Sequence, residues 1–178
     1  LDEASALALA THMTLCPCCR KQAADYEALG GDLIEALPEA AMGDGALAAT
    51  LARAKAPAPQ ATLLSAPTMS TVASASSITL PAPLRRYVGG DVDAAKWRPL
   101  GPGIHHMPLV NSEGVTARLL RIAPGRSVFD HGHSGSELTL VLKGSYSSQG
   151  QHYARGDIEV ADETVHHRPV AGTEDVCI

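Results

Sequence analysis

The sequence predicts an α+β chain of two domains: a small helical one over residues 1–56 and a β-barrel or sandwich over 84–178, joined by an Ala/Pro/Ser-rich linker at 57–83. Three observations support this division. Apolar residues recur at three- and four-residue intervals near the start. Ala, Pro, Ser and Thr then displace nearly every charge. From Leu84 onward, short alternating or β-branched runs are separated by glycines.

The helical elements come first. Ala6, Leu7, Leu9 and Ala10 predict a helix ahead of Cys16, and Tyr26, Leu29, Leu33, Ile34 and Leu37 mark a second. Leu47 and Leu51 begin a third, expected to end near Arg53, with Pro38 and the Gly-Asp-Gly at 43–45 as punctuation. The stretch 57–83 keeps no period and reads as an extended tether. Beyond it, ARLLRIA (117–123), ELTLVLKGSYSS (137–148) and DIEVAD (157–162) read as strands, punctuated by Gly125, Gly144, Gly150, Gly156 and Gly172.

Composition narrows the function. Of 178 residues, 45% are hydrophobic, enough for a core, and only 3% are aromatic, so that core is aliphatic. A net charge of −5 with no basic run argues against nucleic acid as the main partner, because phosphate binding needs concentrated positive charge. No apolar stretch approaches the roughly 18 residues that a membrane helix requires. Asp2 and Glu3 stand where a signal peptide would be basic. Leu1 and Ile178 are expected to be trimmed ends of a longer chain. Three of the four cysteines fall within four residues, too close together to staple loops, so reduced thiols in a cytoplasmic protein are expected.

Those cysteines lie in THMTLCPCCRKQ (11–22). His12, Cys16 and Cys19 stand at i, i+4 and i+7, one helical face. Pro17 cannot sit inside a helix but suits its first position, so Cys16 is expected at an N-cap and His12 on the last turn of the preceding helix. Unpaired N–H groups at a helix start favour thiolates, and thiolates with an imidazole suit Zn²⁺. Cys18 points about 100° away from Cys19 and is expected to be a spare thiol. Two other readings remain open at this point: a buried apolar cluster, and a redox Cys-x-x-Cys, which needs a βαβ context this part lacks. No further His or Cys occurs between 1 and 60, so a fourth ligand lies upstream or the site is incomplete.

The second cluster is DHGHSGSELTLVLKG (130–144). His131 and His133 share one side of a strand, and Glu137 keeps that parity if the strand resumes after the Ser134-Gly135 turn. Two imidazoles and a carboxylate on one face are metal ligands by type, and VHHRP offers His166 or His167 as a third imidazole. Such a set suits Fe²⁺, Mn²⁺, Ni²⁺ or Zn²⁺. His105 and His106 lack partners at ligand spacing and are expected to be structural or surface residues.

Both clusters carry a resemblance. His12-x3-Cys16-x2-Cys19 in a helical setting resembles the zinc anti-sigma factors of bacteria, in which a His some two dozen residues upstream completes the site. Gly125-x5-His131-x-His133-x3-Glu137-x6-Gly144 is similar to the first cupin motif at every position. The second motif, laid from Gly156, puts its His at His167, while Asp162, Thr164 and Ala171 stand where it has Pro, Gly and Asn.

A helical zinc domain, a tether and a cupin together resemble the ChrR family of anti-sigma factors. The resemblance implies zinc at His12, Cys16 and Cys19, and at His131, His133, Glu137 and His167, with Fe²⁺ or Mn²⁺ as alternatives in the cupin. It also implies an extracytoplasmic-function (ECF) sigma factor as partner, whose access to core RNA polymerase is blocked until an oxidative signal such as singlet oxygen. The apolar stripe Leu29, Leu33 and Leu37 is a candidate partner surface; the other reading packs it within the chain. A metal-dependent cupin enzyme, a dioxygenase or isomerase, is the competing function, and it would leave the cysteine-rich helices unexplained.

Overall fold

The computed structural model describes residues 1–56, 79–112 and 114–178. The expected linker lies mostly outside these residues. Helix α1 (Glu3–Leu15) starts where the Asp2 carboxylate accepts the backbone N–H of Ser5 at 2.8 Å. Cys16 ends α1, its N–H donating to the His12 carbonyl, and Pro17 opens α2 (Pro17–Glu35). A proline at that position gives up only an N–H that would be unpaired anyway. Helix α3 spans Ala46–Lys55.

The chain divides into two compact units, Leu1–Ala24 with Ile78–Ile178, and Asp25–Ser77. The units do not coincide with the division expected at 56 and 84, and the core of the first unit shows why. Ala4 and Leu7 of α1 pack in one cluster with Leu80, Leu84, Val88, Met107, Val110, Leu119 and Leu142. The helical period of α1 was legible, but its packing partner is a β-rich body far along the chain. Leu84 and Val88 themselves sit on a short helix, α4 (Ala82–Val88), where the sequence reading began the strands. Asp91 ties down the entry to α4, its two carboxylate oxygens accepting the N–H groups of Thr79 and Leu80 at 2.8 and 2.7 Å.

The β-rich body begins with an antiparallel sheet in the order β1 (Arg98–Gly101), β2 (Ile104–Ser112), β3 (Val115–Ile122). Strand β2, which the sequence reading did not assign, is central and contains Pro108. A proline inside a central strand is tolerated at a bulge, and the register slips between Pro108 and Val110. The slip puts Met107 and Val110 on the same face, toward α1 and α4. Ile104 and Ile122 face a second cluster with Val141, Tyr146, Ala171 and Cys177. His105 and His106 are half-buried on β2, paired across from Pro99 and Arg98.

Three further small sheets follow among the described residues: β4 (His131–Gly132) with β9 (His166–His167), β5 (Glu137–Leu140) with β8 (Ile158–Ala161), and β6 (Ser145–Ser148) between β7 (Gln151–Ala154) and β10 (Val170–Ala171). Gly144 turns between β5 and β6 at φ +67, and a Cβ there would lie 2.5 Å from the Val176 carbonyl oxygen, so only glycine fits.

Candidate metal centres

The helix junction assembles the first group. His12 occupies the last turn of α1, Cys16 the break and Cys19 the first turn of α2, and one ligand atom from each lies within 4.8 Å of the others. The backbone N–H of Cys19, then its thiol, hydrogen-bond to Cys16 and hold the Cys16 thiol below its ordinary range, as an N-cap thiolate should be. Cys19, donating to Cys16, is pushed the other way. Cys18 is exposed and outside the group. His12 is buried, and its Nδ1 has no hydrogen-bond partner. A buried imidazole nitrogen is rarely left orphaned, so this atom fits a ligand better than a packed side chain. An apolar hollow of about 410 Å³, lined by Leu9, Ala10, Met13 and Ile158 among others, opens beside His12 and Cys19.

The second group is built by strand register. His131 on β4 pairs directly across from His167 on β9, so both rings leave one face. His133 follows two residues after His131, and Glu137 opens β5. One ligand atom from each of these four residues lies within 4.8 Å of the other three. The Nδ1 of His131 is 2.7 Å from the Phe129 carbonyl, which can only accept, so Nδ1 carries the proton and Nε2 has the free lone pair. The Nε2 atoms of His133 and His167 face each other at 3.1 Å. Glu137 Oε2 lies 3.5 Å from His133 Nδ1, and Thr139 donates to its other oxygen at 3.1 Å. Three imidazoles and a carboxylate converging in this way fit a divalent transition metal.

His166 is exposed on the other side of β9, its ring against Gly132, where a Cβ would come within 2.6 Å of it. A side chain at Gly132, between His131 and His133, would have to displace this exposed ring. His166 stands outside the four-ligand group.

The sequence reading missed what lies behind His167. Ser148 Oγ is 2.9 Å from His167 Nδ1, Glu159 Oε1 is 3.6 Å from the same nitrogen, and Tyr146 donates to Glu159 Oε2 at 2.7 Å. Ser148, Glu159, Tyr146 and His167 are all buried. The available signal was an acidic residue inside the otherwise apolar run IEVA. Alternation favours Ile158 and Val160 as the inward pair. Instead Glu159 and Ala161 turn inward and Val160 is 67% exposed.

Leu29 and Leu33 on α2 are 54% and 63% exposed, and Leu47 and Leu51 on α3 are exposed as well. Leu37 is exposed too, but lies past the end of α2. The expected stripe is therefore one residue shorter on the helix, because Pro38 disfavours helical backbone at the residue before it.

The family described as the ChrR Cupin-like domain matches residues 86–178. Anti-sigma-E factor ChrR of Cereibacter sphaeroides is 38% identical over 184 residues, an alignment covering 100% of this chain and 80% of that protein. The crystal structure of Rhodobacter sphaeroides SigE in complex with the anti-sigma ChrR includes a chain that matches with a TM-score of 0.78 and 38% identity, covering 99% of this chain and 86% of that one. An RmlC-like cupin from Shewanella frigidimarina aligns at 20% identity with a TM-score of 0.42, over 46% of this chain and 78% of its own.

Proposed function

This chain belongs to the ChrR family of anti-sigma factors, and from that premise we propose that it binds an ECF sigma factor and keeps it from core RNA polymerase. The observation that carries this reading is the alignment of the whole chain both with an anti-sigma-E factor and with a chain of the crystallised SigE–ChrR complex. The exposed Leu29, Leu33, Leu47 and Leu51 supply apolar helix surface of the kind that packs on partner helices. Both ligand groups hold Zn²⁺ in this reading, and iron or manganese in the four-ligand group is the outcome that would revise it. When bound, the ion supplies a fixed positive charge that ties separate strands or helices together. The β-rich part then governs release of the sigma factor on an oxidative signal such as singlet oxygen, in the cytoplasm. No helix among the described residues is long and apolar enough to cross a membrane.

The test is co-purification with the ECF-type sigma factor of the same operon. A stable complex is expected, lost when Leu29→Asp and Leu33→Asp are combined. Failure to capture any sigma factor would overturn the reading. In the same assay His131→Ala is expected to keep the complex intact but block its release by singlet oxygen. Normal release by that variant would move the sensing function away from the four-ligand group.

A further inference from the structure

We propose that Glu159 is a positioning residue for the four-ligand group, acting with Ser148 to hold the His167 ring with its proton on Nδ1 and its lone pair on Nε2. The inference rests on the reading that His131, His133, Glu137 and His167 hold a metal ion.

Neutral imidazole carries one proton, and a ligand nitrogen must be the one without it. For His131 the Phe129 carbonyl settles this, because a carbonyl can only accept. His167 has no such fixed acceptor. Its Nδ1 meets Ser148 Oγ at 2.9 Å, and a hydroxyl can donate as well as accept. If Ser148 donated, the proton of His167 would sit on Nε2 and point at His133, 3.1 Å away, closing the ligand position.

The Glu159 carboxylate breaks this tie. Its Oε1 stands 3.6 Å from Nδ1, too long for a hydrogen bond but close enough for its negative charge to favour N–H over a lone pair there. The carboxylate is itself held in place. Tyr146 donates to Oε2 at 2.7 Å, and burial, then Glu159, push the Tyr146 phenol well above its ordinary value, so it remains a donor. A carboxylate turned inward on a strand, with Val160 outward, is costly unless it has such partners. Across the ladder, Glu159 pairs with Thr139, which steadies Glu137. The β5–β8 pair therefore supports two of the four ligands.

The experiment measures Zn²⁺ affinity of the full chain by competition with a chromophoric chelator, using His131→Ala to mark the ion that belongs to this group. Glu159→Gln keeps the shape and removes the charge. It is expected to weaken the His131-dependent ion about 10- to 100-fold, with the unfolding midpoint of the metal-free protein unchanged. Glu159→Asp, which restores the charge, is expected to recover part of the affinity. In ¹⁵N spectra of the metal-free protein, the His167 proton should move from Nδ1 toward Nε2 in Glu159→Gln only.

Equal affinity in wild type and Glu159→Gln overturns the inference. So does a loss matched by equal destabilisation of the metal-free protein that Glu159→Asp does not relieve. If Glu159→Gln does not fold, Ser148→Ala carries the same test, with about tenfold weaker binding expected and no change overturning the proposal. A wild-type chain with no His131-dependent ion would defeat the metal reading itself, a result distinct from a bound ion indifferent to Glu159.

Discussion

The two ligand groups differ in how far along the chain their side chains are gathered. His12, Cys16 and Cys19 span eight consecutive residues, and a single proline-opened helix junction brings them together. His131, His133 and Glu137 lie on β4, the loop after it and the start of β5, and His167, thirty residues on, joins them only because β4 pairs with β9. A group of the first kind needs only local backbone, whereas the second exists only once the β-rich body is folded. The difference is less clean than the distances suggest, because α1 is itself packed in that body through Ala4 and Leu7. The first group is local in sequence yet depends on distant residues for its support.

Mutations test how far that dependence goes. The largest expected effect is on metal content. His131→Ala and Cys19→Ser are each expected to abolish one bound ion and spare the other, as read by elemental analysis of the purified chain. Simultaneous loss of both from either change would mean that the two groups are one cooperative centre.

Next comes Leu7→Ala. If α1 belongs to the core of the β-rich body, truncating this buried leucine should cost about 2–5 kcal/mol in denaturant unfolding. The loss should appear in a single transition reported by Trp97, which packs against the same cluster. Two transitions, with only a minor one displaced, would return α1 to a separate helical domain.

A smaller effect is expected from Asp91→Asn, which weakens the clamp on the entry to α4. About 1 kcal/mol is the expected loss at neutral pH. Burial works against the charge of Asp91, but the backbone N–H groups of Thr79, Leu80 and Val92 outweigh it and hold the carboxyl below its ordinary range. A carboxyl lowered by folding contributes stability that is fully present above its unfolded value of about 3.9 and disappears as pH falls through its lower folded value. The gap between wild type and Asp91→Asn should therefore close under acid, which an unfolding series from pH 6 to pH 2 would reveal. The smallest effect is expected of Cys18→Ser. This thiol is exposed and outside the ligand group, so metal content and stability should stay within about 0.5 kcal/mol of wild type.

Much of this was legible in the sequence where the governing physics is local. Pro17 fixes the helix break, and the i, i+4, i+7 spacing brings His12, Cys16 and Cys19 to it. The periodic leucines of α2 likewise announce a helix, though Pro38 ends it before Leu37. The motif spacing around His131 names residues that converge because glycines and strand parity leave few other arrangements. What stayed hidden depends on pairing between distant segments. Strand β2 was obscured by Pro108, which a bulge accommodates. Helix α4 is too short to show a period. Ala4 and Leu7 declare an apolar face without saying what it will meet. Glu159 breaks the alternation of its own strand, and its inward turn has a reason only when His167 and Tyr146 arrive from elsewhere.

The placement of α1 also bears on dissecting the molecule. Cutting at residue 84, where the alternating runs of the sequence begin, would remove Ala4, Leu7 and Leu80 from a shared interior and leave Met107, Val110, Leu119 and Leu142 bare to water. A greasy trough of that kind drives clumping. The severed β-rich body is therefore expected to precipitate, and any study of its four-ligand group in isolation must carry the first helix with it.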